Sequence, residues 1–278
     1  MVSLSPSASS LNNMAKKRLD VLLVERNFAA SRERANSMIL AGKVRVNSQM
    51  SGKAGVKIDE NAIIEVLTND LCYVSRGGLK LEKAMAKFAI VFKDKVVADI
   101  GASTGGFTDC ALQNGARFVY AIDVGYGQLA WKLRNDDRVI NMERTNIRNV
   151  NADVFQPKAD IVTIDVSFIS LSKVLFSAVA LATDYADFIV LIKPQFEAGR
   201  ERVGKKGVVR DKNTHVDVIQ SVVNSGHENG LFIKALTFSP VTGPEGNIEF
   251  LAHFVKVNEE LCAGAIEEIV EAAHKELD

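Results

Sequence analysis

Apolar positions in the first quarter of the chain come in two rhythms. Leu19, Leu22, Leu23 and Phe28 fall at helical spacing, and Ser31 stands where it can cap a second helix over Arg32 to Ala41. Gly42 follows, where a helix end needs a left-handed residue. Val44-Arg45-Val46 and Ala62 to Leu67 are short apolar segments separated by Gly52, Gly55 and the Asp59-Glu60-Asn61 turn, which predicts strands. Paired glycines, Gly77-Gly78, mark a turn, and a helical pattern runs from Leu79 to Phe88. Short apolar runs then alternate with helical stretches: Val96 to Ile100, Phe118 to Ile122, Val139 to Met142, Ile161 to Ile164 and Phe188 to Ile192, with a helix expected over Ser170 to Thr183. Such alternation predicts βαβ units around a parallel sheet buried on both faces. Leu231 to Phe238 and Ile248 to Val257 are separated only by the turn-rich Ser239 to Asn247, too short for a crossover helix, so this pair is expected to be antiparallel. Glu259 to Leu277 reads as a closing amphipathic helix.

Composition alters this picture in one respect. Hydrophobic residues make up 47 % of the 278 positions and charged residues 24 %, ordinary globular values, and the formal net charge is zero. The charge is nevertheless uneven: Lys16 to Ile58 holds ten Lys or Arg against three Asp or Glu. A basic front end on a neutral chain suits a polyanionic partner, although a solvated charged face reads the same way. Cys72, Cys110 and Cys262 are far apart with no CxxC pair, so neither a disulfide framework nor a zinc site is expected, and no metal. The apolar run from Val174 is stopped by Asp184, short of a membrane span, and residues 1–13 lack the pattern of a secretory signal. A loose tail over 1–13 and a cytoplasmic protein without stable membrane association are the expectations.

The most informative turn follows the strand at Val96. Asp99-Ile-Gly101-Ala-Ser103-Thr-Gly105-Gly106-Phe-Thr-Asp109 sits between a strand and a helical stretch, at the strand end where open α/β sheets bind ligands. A glycine-rich turn alone is equally a structural device. Asp123 ends the next strand, where a carboxylate can accept both hydrogen bonds of a ribose diol. The spacing is not the GxGxxG that seats a pyrophosphate on a helix N-terminus, and Asp99, Asp109, Asp123 and Asp165 would crowd a dinucleotide with negative charge. A sulfonium tolerates such neighbours, which favours S-adenosylmethionine.

Two resemblances sharpen the reading. Arg18-Leu19-Asp20, Ser31-Arg32-Glu33-Arg34-Ala35 and Gly42-Lys43-Val44-Arg45-Val46-Asn47 resemble the S4 RNA-binding domain over about fifty residues. That implies docking on structured RNA through Arg18, Arg32, Arg34, Lys43 and Arg45. The parallel sheet closed by an antiparallel pair is similar to class I (Rossmann-like) methyltransferases. By that resemblance the loop with Asp99, Gly101, Ser103, Gly105 and Gly106 holds the methionine end of the cofactor, Asp123 the ribose, and Asn146 with Ile147 the adenine. Lys80, Asp165, Lys193 and Glu249 stand in the order of the tetrad of FtsJ-like ribose 2'-O-methyltransferases. With Asp165-Val-Ser-Phe-Ile-Ser and Lys193-Pro-Gln-Phe-Glu197, the chain resembles the TlyA family from Met14 onward.

The resemblance implies an α/β class I methyltransferase domain over 79–278, a small α+β S4 domain over 14–70 and a linker over 71–78. It implies methylation of a cytidine ribose in ribosomal RNA of the small or large subunit, with ribosomal RNA or ribosomal subunits as partners. Lys193 is the candidate base with Lys80 as its neighbouring cation, while Asp165, also a cofactor contact, and Glu249 orient the amines; which lysine is neutral stays open. Arg200, Arg202, Lys205 and Lys206 form a Gly-spaced basic stretch beside Lys193, able to clamp RNA phosphates or to be a surface loop. Relatives described as haemolysins imply a membrane-active alternative, and an RNA-binding factor with an inactive methyltransferase fold is another.

Overall fold

The computed structural model describes residues 16–257 and 264–277, apart from positions 27, 30, 41, 48 and 67–71 and the side chain at 34. The expected tail, Cys262 and the first residues of the expected closing helix lie outside the described residues. The chain divides into two compact units, 1–70 and 71–278.

In the first unit β1 (Lys16–Arg18) leads into α1 (Leu19–Glu25) and α2 (Arg32–Leu40), followed by β2 (Val44–Val46), β3 (Gln49–Met50), β4 (Lys57–Asp59) and β5 (Ile64–Val66). β1 pairs with β4, and β3, β2 and β5 form a small antiparallel sheet. Leu19, Leu22, Leu23, Ala35, Ile39, Val44 and Ile64 are buried together, as the spacing predicts. Phe28 is an exception: α1 ends at Glu25, and the ring is exposed. Gly42 takes the left-handed φ of +67° that a helix end calls for.

The second unit opens with α3 (Gly77–Phe88), β6 (Val96–Ile100), α4 (Gly106–Gln113), β7 (Phe118–Ile122), α5 (Trp131–Arg134), β8 (Val139–Met142) and β9 (Ala159–Ile164). It continues with α6 (Leu175–Ala180), β10 (Ala182–Ile192), α7 (Pro194–Glu197), α8 (Lys212–Glu228), β11 (Phe232–Phe238), β12 (Phe250–Val255) and α9 (Ala265–Leu277). The sheet order is β11-β12-β10-β9-β6-β7-β8, parallel except that β12 runs antiparallel to both neighbours. Alternate residues of each strand serve opposite faces. Val96, Ala98 and Ile100 pack in the cluster that includes Leu175 of α6, Val218 of α8 and Val270 of α9, and Val97 packs with Leu81 of α3 and Ala111 of α4.

Three expectations change. The helix expected over 170–183 is only a 3-10 turn (Leu171–Lys173) plus α6, and Ala182 and Thr183 already belong to β10. Thr183 and Tyr185 favour extended backbone, and Asp184 between them is a poor helix former. α8, seventeen residues long, is absent from the expected elements; Asp211 caps it by accepting from the Thr214 amide at 2.8 Å. The linker expected over 71–78 is, in its described part, a wall of the second unit. Tyr73 is buried, the Val74 amide donates to Asp109 Oδ2 at 2.8 Å, and α3 has begun by Gly77.

Candidate active site

The C-terminal ends of β6, β7, β9 and β10 share one edge of the sheet, and two cavities open there. The first, about 340 Å³, has an apolar side made by Ile122, Ile147, Val166, Ile169 and Val174 and a polar side holding Ser103, Asp123, Gln128 and Asn146. Asp123 Oδ2 accepts from the Ser103 amide at 2.8 Å and Oδ1 from the Gly125 amide at 2.6 Å, so the carboxylate is fixed at the rim. Asn146 accepts from the Arg148 amide and starts the short turn that presses Ile147 against the cavity. An apolar cavity lined also by two carboxylates, Asp123 and Asp165, fits an adenosine bearing a sulfonium, and Arg148 is the one Lys or Arg on this wall among the described residues. Cavities of this size hold small cofactors.

The second cavity, about 290 Å³ and more polar, is lined by Lys80, Asp165, Lys193 and Glu249 together. Lys80 comes from α3, Glu249 immediately precedes β12, and Asp165 and Lys193 follow β9 and β10. Lys80 Nζ meets Glu249 Oε2 at 2.5 Å, with Glu249 almost wholly buried. Lys193 Nζ lies 2.5 Å from Asp165 Oδ1 and donates to Ser167 Oγ at 2.8 Å. Each amine is thus matched to its own carboxylate, and Lys80 and Lys193 line the same cavity. The two cavities share Gly101, Ser103, Asp165 and Ser167 as common wall.

The glycine loop serves packing as much as ligand approach. A Cβ on Gly101, at φ +87°, would come within 2.4 Å of the Asp165 carbonyl oxygen. One on Gly106 would meet Ser75 Oγ at 2.3 Å and the Gly77–Gly78 backbone at 3.0 Å. The loop's glycines therefore let β9 and the 75–78 turn close over it; Gly105 packs toward Leu129 and Leu133 and lines neither cavity.

Asp99 departs from the role expected of it. It is fully buried, accepts from Thr108 Oγ1 at 2.6 Å and Thr163 Oγ1 at 2.9 Å, and lines neither cavity. It is a brace behind the loop, and burial pushes its carboxyl up to about 6.

The basic residues separate into two kinds. Arg18 grips buried Asp20 with two hydrogen bonds of 2.9 and 3.0 Å, and Arg32 adds two more of 2.8 and 3.2 Å. Hydrogen bonds from Arg18, then Arg32, hold the Asp20 carboxyl well below the usual carboxylate range despite burial. These two arginines anchor their own fold while remaining about half exposed. Lys43 and Arg45 are exposed, and the Arg34 side chain lies outside the described residues. In the second unit Arg202, Lys205 and Lys206 line a cup of about 330 Å³, joined by Arg210, which the sequence reading did not single out. Arg202 is tied to the Ala198 carbonyl and to Asp217, and Arg200 is exposed outside the cup. Arg76, Ser167 and the Thr242–Gly243–Pro244 turn also line the polar cavity and were missed. Proximity to Lys80 and Asp165 in the sequence was the available signal for Arg76 and Ser167.

A family model described as FtsJ-like methyltransferase matches residues 73–256, and one described as S4 domain matches residues 17–64. A candidate rRNA methyltransferase, YqxC, of Bacillus subtilis (strain 168) is 53 % identical over 268 residues, covering 94 % of this chain and 95 % of its own. The 16S/23S rRNA (cytidine-2'-O)-methyltransferase TlyA of Mycobacterium tuberculosis (strain ATCC 25618 / H37Rv) is 41 % identical over 266 residues, covering 95 % of this chain and 99 % of its own. Among solved structures, a candidate hemolysin of Streptococcus thermophilus superposes with a TM-score of 0.75 at 45 % identity, covering 95 % of this chain and 97 % of that one.

Proposed function

The chain belongs to the TlyA family, in which an S4 domain precedes an FtsJ-like RNA methyltransferase domain, and from that premise we propose that it methylates a cytidine ribose 2'-hydroxyl in ribosomal RNA. The observation that supports this best is the common wall of the two cavities. Asp165 and Ser167 face both, so a methyl donor in the apolar cavity and a hydroxyl in the polar one would meet beside Lys193.

S-adenosylmethionine, when bound, supplies a sulfonium-borne methyl group open to attack. Asp123 would hold the ribose diol, Ile147 would press on the adenine, and Asp165 would face the sulfonium side. In the polar cavity Lys80, its amine held by Glu249, would fix the target ribose by donating to its oxygens. Lys193 would accept the hydroxyl proton as the oxygen lone pair forms the new C–O bond and the C–S bond breaks. Confinement and alignment of this kind can supply roughly 7–11 kcal/mol of the barrier reduction. The exposed Lys43 and Arg45 of the first unit, and the cup of Arg202, Lys205, Lys206 and Arg210, are suited to phosphates.

The hemolysin label is carried by relatives, those of Streptococcus thermophilus and Brachyspira hyodysenteriae among them; among the described residues here, no helix is long and apolar enough to cross a membrane. The test is incubation with methyl-labelled S-adenosylmethionine and separated small and large ribosomal subunits, followed by mass-spectrometric mapping of the label. We expect label on a cytidine ribose with the wild-type chain and at least a hundredfold less with Lys193→Ala, a loss of the size common for acid–base groups. Absence of label from the RNA of both subunits would overturn the proposal.

A further inference from the structure

We propose that Ser167 is a positioning residue that sets the rotation of the Lys193 amine, so that its free tetrahedral position faces the target hydroxyl. This inference rests on the methyl transfer proposed above. Asp165 Oδ1 is close to Lys193 Nζ, at 2.5 Å, yet the approach lacks hydrogen-bond geometry. The carboxylate therefore attracts the amine without fixing its rotation about the Cε–Nζ bond. Ser167 Oγ, at 2.8 Å, is the acceptor that meets Nζ in hydrogen-bond geometry among the described residues. An amine nitrogen has four tetrahedral positions, and Cε occupies one. One N–H directed at Ser167 fixes the other two positions, one on the Asp165 side and one toward the cavity that Lys193 lines. In a neutral amine that last position is the lone pair able to take the hydroxyl proton.

The backbone around Ser167 is built to hold it there. At one end the Asp165 amide donates to the Ile100 carbonyl at 2.9 Å. At the other, Glu197 accepts from the Leu171 amide at 2.9 Å and from Ser170 Oγ at 2.7 Å. Between them Phe168 adopts φ +64°, a left-handed conformation that is unfavourable for an aromatic residue. The ring gains no burial in return: it is 90 % exposed. The turn brings Ser167 to Lys193, as strain kept at a functional segment does. Ser167 is itself exposed, so its hydroxyl has no packing duty in the fold.

The test compares Ser167→Ala and Ser167→Thr with the wild-type full-length chain, using ribosomal subunits as substrate. Ser167→Ala should lower the single-turnover rate by about tenfold or more, as misorientation of a proton acceptor does. It should also move the midpoint of the pH–rate profile and leave cofactor Kd, RNA KM and unfolding temperature close to wild type. Ser167→Thr, which keeps the hydroxyl, should recover most of the rate. An unchanged rate and pH profile in Ser167→Ala would overturn the inference, as would a loss accounted for by weaker cofactor binding. Equal losses in both variants would overturn it as well. Lack of transfer by the wild-type chain is a separate outcome, which removes the proposed function itself.

Discussion

Asp99 and Asp123 stand on neighbouring strands, and their surroundings give them different tasks. Asp123 ends at the cavity rim, held by two backbone amides, whereas Asp99 is enclosed behind the loop between Thr108 and Thr163. The sequence showed both acids near strand ends and could not distinguish them, because the threonines that enclose Asp99 lie nine and 64 positions away. The tetrad was legible, since each member sits in a distinctive local run. Its pairing was not, since Lys80 and Glu249 are 169 positions apart and meet only through the sheet order. Burial at Asp99 has a measurable consequence. Its folded-state pKa, about 6, lies above the unfolded value near 4, so its contribution to stability is complete below pH 4 and falls as pH rises toward 6. Asp99→Asn removes that term. Thermal unfolding between pH 4 and 7 should therefore show the variant gaining on the wild type as pH rises, with most of the relative change below about 6. Parallel curves across that range would show that the carboxyl does not titrate differently in the folded state.

Elements were readable where burial follows sequence period and obscure where tertiary contacts override propensity. β6, β7 and β8 have the bounds their apolar runs indicate. α8 contains Thr214, Val216, Asn224, Ser225 and Gly226, weak helix formers; its helix depends on burying Val218, Ile219, Val222 and Val223 against the sheet. The same helix supports the basic loop that precedes it. His215 contacts the Val209 carbonyl from α8, while Asn247 accepts from the Val209 amide at 3.0 Å and donates to the Gly207 carbonyl at 2.9 Å. Asn247 lies two residues before Glu249, so the cup with Lys205 and Lys206 is braced by the segment that carries a tetrad carboxylate. Held in this way, the cup is suited to a fixed phosphate rather than diffuse attraction. Lys205→Ala with Lys206→Ala should reduce the slope of log affinity against log salt by about 1.4, two contacts at roughly 0.7 each on single-stranded RNA. Cofactor affinity should stay at the wild-type value. An unaltered slope in a salt titration of RNA binding would remove the cup from the interface.

At the scale of the molecule, the two units have separate cores. Leu19, Leu23, Ile39 and Val44 close the first, and the clusters on the two faces of the large sheet close the second. Among the described residues, both cavities at the sheet edge are lined by positions from 75 onward, all in the second unit. The basic excess lies in the other unit: ten Lys or Arg against three Asp or Glu between Lys16 and Ile58. Part of it is spent internally, since Arg18 and Arg32 neutralise Asp20, and the cations left exposed include Lys43 and Arg45. A chain starting at Leu71 therefore keeps the residues that would hold the cofactor and loses much of the charge available to RNA. It should retain its wild-type far-ultraviolet helix signal per residue for 71–278 and bind S-adenosylmethionine within about twofold of the full chain, a difference below 0.5 kcal/mol. Its affinity for ribosomal subunits should fall by tenfold or more at physiological salt, with a shallower salt dependence, because fewer phosphates are neutralised. If the shortened chain binds RNA with the full chain's affinity and slope, the front unit has some purpose other than docking on a polyanion. Loss of cofactor binding with the fold intact would instead mean that the first unit reaches the site and helps to complete it.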